Sequence, residues 1–193
     1  MFDGCTKLSS FGTDTLDKLT NGNAMFRDCF LIKTFDKPLG SLTDNYRMFY
    51  NCTSMAIIDS DLPMIESPNE MFIYCSKLES YYCVNTGIAS HASELLPDSK
   101  NSLKNFSSIF PNLTDANGMF MDFGKLERFV GDLNVATSAT QMFRNCTSLN
   151  YVDMHCPLLT NGNHMFRNCS SLTFDSFSGN ECFSNVTSAL AMF

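Results

Sequence analysis

Nine cysteines and three histidines in a chain of 193 residues are the groups best able to do chemistry, as metal ligands, nucleophiles or disulfide partners. Their spacing argues against each role. Cys5, Cys29, Cys52, Cys75, Cys146 and Cys169 recur at one period of about 23 residues or its multiples, whereas zinc sites pair cysteines two to four residues apart. Such a set predicts a column of small buried hydrophobes. Stacked Cβ vectors in one column run parallel, which is poor geometry for a disulfide. Cys83, Cys156 and Cys182 fall outside the column, and any of them is a candidate exposed thiol. His91, His155 and His164 occupy unrelated places, and no Ser, His and Asp set recurs at triad spacing. The Asn-Gly-Asn runs at 21–23 and 161–163 are turn chemistry rather than a phosphate loop. No enzyme, cofactor or metal is expected.

Carboxylates are the remaining candidates: Asp14, Asp36, Asp59, Asp61, Asp132 and Asp153, interrupted by Pro38, Tyr82, Val84, Ile109, Arg128, Val130, Tyr151 and His155. They act together only where the fold lines them up. Writing the chain so that each Met-Phe pair opens a line gives starts at Met1, Met25, Met48, Met71, Met119, Met142, Met165 and Met192. The one long gap, 48 residues, is two periods in which a Met-Phe has decayed to Leu95-Leu96. Residues 83–102 therefore read as repeat rather than linker, with a degenerate repeat at about 95–118. A period near 24 residues signals a solenoid.

Seven residues after each Met come Leu8, Ile32, Met55, Leu78, Leu126, Leu149 and Leu172, and ten after it Phe11, Phe35, Ile58, Tyr81, Phe129 and Val152. Met, Phe, Cys and Leu at i, i+1, i+4 and i+7 form a helical stripe; the segment beyond carries aromatic and branched residues suited to a short strand. Thr, Asn, Asp, Ser and Gly precede each Met-Phe, as in Thr20-Asn21-Gly22-Asn23, and can cap a following helical turn. One unit is then strand, corner, short helix or tight turn, corner. It buries its apolar side only by stacking, with strands pairing in parallel at about 4.8 Å. Period-two alternation turns positions nine, eleven and thirteen outward. The candidate binding residues on that face are Asp14, Asp36, Asp59, Asp61, Tyr82, Arg128, Asp132, Tyr151, Asp153 and His155. An acidic strip with aromatic patches fits a basic or cationic partner, or divalent ions between Asp side chains; the alternative is a solvated face that keeps the sheet soluble.

Met-Phe-Arg-Asn-Cys-Thr-Ser-Leu at 142–149, Met-Phe-Arg-Asn-Cys-Ser-Ser-Leu at 165–172 and Met-Phe-Tyr-Asn-Cys-Thr-Ser-Met at 48–55 resemble the BspA-type leucine-rich repeat of bacterial surface proteins. The resemblance covers nearly the whole chain. It implies an adhesion or partner-binding surface without a shared catalytic motif. Departures are the decayed repeat at Leu95, Phe123 in the cysteine position, and extra residues near Ser178 to Glu181; irregular structure is expected there. Six Asn-x-Ser/Thr sequons, at Asn51, Asn105, Asn112, Asn145, Asn168 and Asn185, include three that belong to the repeat itself. For Asn51, Asn145 and Asn168 the expectation is a ladder in which each side chain bonds backbone at the corner.

A net charge of -7 and a pI near 4.8 exclude a basic nucleic-acid binder. No apolar run is long enough for a membrane span, and the amino terminus lacks the pattern of a secretion signal. The chain opens and stops on a Met-Phe without polar capping segments, so it reads as a piece of a longer array whose terminal repeats are covered by further repeats, domains or subunits. The expected fold is an α/β repeat solenoid: a right-handed leucine-rich-repeat superhelix over 1–193, about eight repeats of 23–24 residues, with a narrow parallel sheet and short helices or turns on the convex side. The expected role is a non-catalytic protein-binding or adhesion module of a bacterial cell-surface or secreted protein, with a macromolecular partner, a protein, on the strand face. The rival is a spacer or assembly element in a virion appendage or surface layer.

Overall fold

The computed structural model describes residues 1–12, 15–61, 70–83, 95–178 and 182–193. Seven short strands, β1 (Thr34–Phe35), β2 (Ile57–Asp59), β3 (Ser80–Cys83), β4 (Asn105–Ile109), β5 (Arg128–Asp132), β6 (Tyr151–His155) and β7 (Phe177–Ser178), form one sheet in chain order. Every pairing is parallel. The register reproduces the sequence period: Phe35, Ile58, Tyr81, Phe106, Phe129, Val152 and Phe177 form one continuous inward column. Behind it the leucine position, Ile32, Met55, Leu78, Leu103, Leu126 and Leu149, is fully buried.

The Met-Phe phenylalanines make a second column. Phe26 stacks on Phe49 with ring centroids 5.5 Å apart, Phe49 on Phe72 at 5.6 Å, Phe120 on Phe143 at 5.7 Å and Phe143 on Phe166 at 5.3 Å. Rings of the strand column meet them edge-on, as Phe129 meets Phe143 at 4.9 Å. Both aromatic geometries therefore recur along the axis, each pair adding roughly 0.5–1.5 kcal/mol beyond its burial.

The helical stripe is not a helix. The Met-Phe segments are tight turns, and a three-residue 3₁₀ helix at Phe174–Ser176 is the only helical element among the described residues. Two left-handed residues bracket each turn. One stands just before the Met (Ala24, Arg47, Gln141, His164, φ between 49° and 58°) and one three residues after it (Asp28, Asn51, Asp122, Asn145, Asn168, φ between 59° and 69°). A right-handed helix cannot pass through such residues. The amides also bond the neighbouring level rather than their own segment: Ala24 N donates to Tyr46 O at 2.9 Å, Phe26 N to Met48 O at 2.9 Å and Asp28 N to Tyr50 O at 3.0 Å. The spacing i, i+1, i+4, i+7 thus arises from a tight corner that points the same four residues inward.

The left-handed position after the Met explains the asparagines. Asn and Asp tolerate positive φ, and here they also bond each other. Asn51 Nδ2 donates to Asp28 Oδ1 at 2.8 Å, Asn145 Nδ2 to Asp122 Oδ1 at 2.7 Å and Asn168 Nδ2 to Asn145 Oδ1 at 2.8 Å. The ladder exists, but it runs side chain to side chain rather than to backbone.

Phe123 sits buried in the cysteine position without disturbing the turn, since its N–H still donates to Phe120 O at 3.2 Å. The irregularity expected there is absent because the ring packs edge-on against Phe120 at 5.5 Å. Leu95 and Leu96 are buried, and Ser99 N donates to Leu96 O at 3.2 Å, the bond that Cys makes to Phe in the regular turns. Of the extra segment near Ser178 to Glu181, residues 179–181 lie outside the described residues.

Candidate functional site

The cysteine column is structural. Each thiol reaches back one level and donates to the carbonyl of a Met-Phe phenylalanine: Cys29 to Phe2 O at 3.1 Å, Cys52 to Phe26 O at 3.1 Å, Cys75 to Phe49 O at 3.2 Å, Cys146 to Phe120 O at 3.0 Å and Cys169 to Phe143 O at 2.9 Å. Phe26 O accepts a second bond from Cys29 N at 3.2 Å, so both of its lone pairs are used. In the decayed level Ser99 stands in the cysteine position, and its Oγ donates to Cys75 O at 3.2 Å, the carbonyl of the previous cysteine rather than that of the previous phenylalanine. Burial pushes the thiols up, Cys75 to about 12 and Cys169 to about 11.

The three cysteines outside the column are not exposed either. Cys83 lies on the inner side of β3, where burial pushes its thiol up to about 12. Cys156 and Cys182 are buried together, Cys182 Sγ donating to Met154 O at 2.6 Å. Inward columns continue beyond position ten, which covers Cys83 in register with Ser108, Gly131 and Met154, and Cys156 fourteen residues after Met142, as Leu39 and Leu133 stand fourteen after Met25 and Met119. Cys5 is the exposed thiol among the described cysteines, because no described level packs over that side of its turn.

On the outer sheet face the register assembles three columns. Thr34, Ile57, Ser80, Asn105, Arg128 and Tyr151 form the first; Asp59, Tyr82, Ser107, Val130 and Asp153 the second; Ile109, Asp132 and His155 belong to the third. Asp36, Asp59, Asp61, Tyr82, Arg128 and His155 are exposed, and Asp132, Tyr151 and Asp153 half-buried. Asp14 lies outside the described residues.

The carboxylates do not make one continuous strip. Asp36, Asp59 and Asp61 gather at one end, and Asp36 is engaged by Lys37 at 3.0 Å. Asp132 and Asp153 gather at the other, beside a shallow 410 Å³ cavity that they share with His155, Ile109 and Val130. Between the two ends stand Tyr82, Ser107, Ile109 and Val130. Asp132 Oδ1 is buried without a partner among the described residues, and Arg128 lies over the Tyr151 ring at 3.8 Å. Gly131 has no room for a side chain: a Cβ there meets the Phe129 ring at 2.3 Å. Among the described residues no three His, Cys, Asp or Glu side chains converge as for a metal ion.

One grouping escaped the sequence reading. Arg47 lies between the rings of Tyr46 at 4.9 Å and Tyr50 at 5.0 Å, Tyr50 meets Tyr74 edge-on at 5.2 Å, and Arg47 Nε donates to Glu70 at 2.7 Å. The hydrogen bond it donates to Glu70 raises the Arg47 pKa. The available signal was tyrosine on the polar flanks of two adjacent Met-Phe turns.

The family model described as "BspA type Leucine rich repeat region" matches residues 1–96 and 100–190 in six copies. The chain belongs to the BspA-type leucine-rich-repeat family. No curated protein and no solved structure matches it. BspA-type arrays are typically non-enzymatic binding scaffolds, commonly mediate protein–protein interaction at surfaces, and are typical of bacterial surface proteins. No helix among the described residues is long and apolar enough to cross a membrane.

Proposed function

We propose that this BspA-type array is a non-catalytic adhesion module of a bacterial surface or secreted protein, and that it presents the outer sheet face to a protein partner. The supporting observation is the composition of that face: exposed Tyr82 and Ile109 lie between two groups of carboxylates, and exposed Ile57 shares β2 with Asp59 of the first group. Apolar and tyrosine side chains supply contact area at low ordering cost, and flanking acids steer a partner with a basic rim. The partner is therefore a protein whose docking surface is apolar at its centre and carries Lys or Arg around it. Asp36, Asp59, Asp61, Asp132 and Asp153 set orientation, with Tyr82, Tyr151, Arg128 and His155 as contacts. The chain acts in this reading as one array over 1–193.

The test is binding of fluorescently labelled chain to intact cells. Replacing Asp36, Asp59 and Asp61 together by Asn abolishes binding while thermal unfolding stays unchanged; a triple variant that binds like the parent retires the reading. A second reading, an assembly element, is favoured by Phe174, which is 95% exposed. Sedimentation separates the two: an assembly element forms concentration-dependent oligomers that Phe174→Ser dissolves.

A further inference from the structure

A second surface, independent of the sheet face, has the opposite charge. Lys33, Lys77, Lys104 and Lys125 line one groove of 490 Å³ at the corners where the chain enters its strands. Lys33 and Lys104 directly precede β1 and β4; Lys77 and Lys125 stand three residues before β3 and β5. Four of the chain's 13 basic residues are thus gathered in one place in a chain of net charge -7. Glu79 is the single carboxylate among the lining residues, and it engages Lys104 at 3.0 Å. Lys33, Lys77 and Lys125 are exposed and make no ion pair among the described residues.

From these observations we infer that the groove binds an anionic polysaccharide, sulfated or carboxylated, running along the solenoid axis. The fold sets the geometry. Levels stack at about 4.8 Å, and the four steps between the five levels from Lys33 to Lys125 spread the ammonium groups over roughly 19 Å by that spacing. A row of this kind suits a linear polyanion better than one compact anion. Its neighbours are hydroxyls and an amide, Ser54, Ser76, Ser102 and Asn101, which can bond sugar hydroxyls between the charged groups. Nucleic acid is disfavoured by the same lining. No aromatic ring is there to stack a base, and no arginine is there for the planar two-point grip on phosphate.

Heparin and polygalacturonate serve as the sulfated and carboxylated probes, titrated into the full chain by calorimetry at 50 and 200 mM salt. At least one binds, and its affinity falls roughly 20- to 40-fold across that range, as expected for three released counterions. The variant Lys33→Ala/Lys77→Ala/Lys125→Ala loses at least tenfold in affinity with unchanged thermal unfolding. A variant of equal charge, Lys7→Ala/Lys18→Ala/Arg167→Ala, stays within twofold of the parent. The inference is overturned if neither polysaccharide binds, if both triple variants lose affinity equally, or if a single-stranded oligonucleotide binds more tightly than either probe.

Discussion

On the turn side of the solenoid the same side chain returns at successive levels: Phe26, Phe49 and Phe72 stack in one run, and Phe120, Phe143 and Phe166 in another. On the outer face of the sheet the column Thr34, Ile57, Ser80, Asn105, Arg128 and Tyr151 holds six different side chains in the same register. The contrast has a physical cause. A buried ring touches its copies above and below, so each level constrains the next. An outward side chain meets mostly solvent, and its identity is free to serve a partner. Breaking the turn side should therefore cost stability, and altering the sheet face should cost binding.

The largest effect is expected at Phe143, fully buried, stacked between Phe120 and Phe166 and met edge-on by Phe129. Phe143→Ala leaves a cavity that rigid neighbours on both levels cannot fill and costs about 3–5 kcal/mol, read from urea unfolding. A loss below 1 kcal/mol would show that the levels do not constrain each other through this column.

Next come the buried thiols, and here pH is the probe. Cys75 and Cys83 are held up to about 12 in the folded chain, whereas an unfolded thiol titrates near 8.5. Above the unfolded value the unfolded chain loses protons that the folded chain keeps, so stability falls as pH rises. Their contribution is complete below about pH 8.5 and declines until about 12. Thermal unfolding followed from pH 8 to pH 10.5 should show this decline, and Cys75→Ala/Cys83→Ala should flatten it. A parent whose midpoint does not move over that interval contradicts the assignment. At pH 8 a thiol-alkylating reagent should label Cys5 in the folded chain and leave the buried eight unmodified.

These turn-side features differ in how far they could be read from sequence. The period, the parallel sheet and the inward columns follow from spacing alone, because stacking identical levels is the only way so small a unit buries Met, Phe, Cys and Leu. The burial of Cys29 or Cys146 follows from the same count. The turn geometry did not, because four inward residues at i, i+1, i+4 and i+7 fit a helix as well as a corner with a left-handed residue on each side. Asn51 and Asn145 carried the clue, being residues that tolerate positive φ, but Tyr74 at φ 64° shows that the corner imposes this backbone even on residues that resist it. The burial of Cys83 and Cys156 was less legible because it depends on positions twelve and fourteen continuing the inward columns, and Cys182 follows extra residues that shift the count.

On the sheet face, alternation identified the outward residues, but not the division of the carboxylates into two groups. Which side chains stand between Asp59 and Asp153 depends on registering five strands, Tyr82, Ser107 and Val130 entering from three of them. The lysine groove was hidden for a related reason. Lys33, Lys77, Lys104 and Lys125 are scattered over 93 positions of an acidic chain, and only stacking makes them neighbours.

A smaller stability loss is expected on the polar rim of the turns. Asn145 donates to Asp122, accepts from Asn168 and sits at φ 65°. Asn145→Ala removes both bonds and places a side chain with no local partner in the left-handed region, costing about 2 kcal/mol. Asn145→Gly removes the same bonds without the backbone penalty and should cost about 1 kcal/mol. Equal losses for the two would mean that the ladder alone, and not the corner, selects asparagine.

The smallest effect on stability, with the largest contrast in binding, is expected at Tyr82. It is 40% exposed at the centre of the outer face, in register with Asp59 on one side and Ser107 on the other. Tyr82→Ala leaves the inward Tyr81 and Cys83 in place, so unfolding should shift by no more than about 0.5 kcal/mol. Removing a central tyrosine from a docking face should weaken cell binding at least tenfold, about 1.4 kcal/mol, in the range of interface anchors. Tyr74→Ala supplies the control, since Tyr74 is also exposed but belongs to the turn side. If both variants weaken binding alike, the partner does not distinguish the two sides, and the division between a side that folds and a side that binds fails where it matters most.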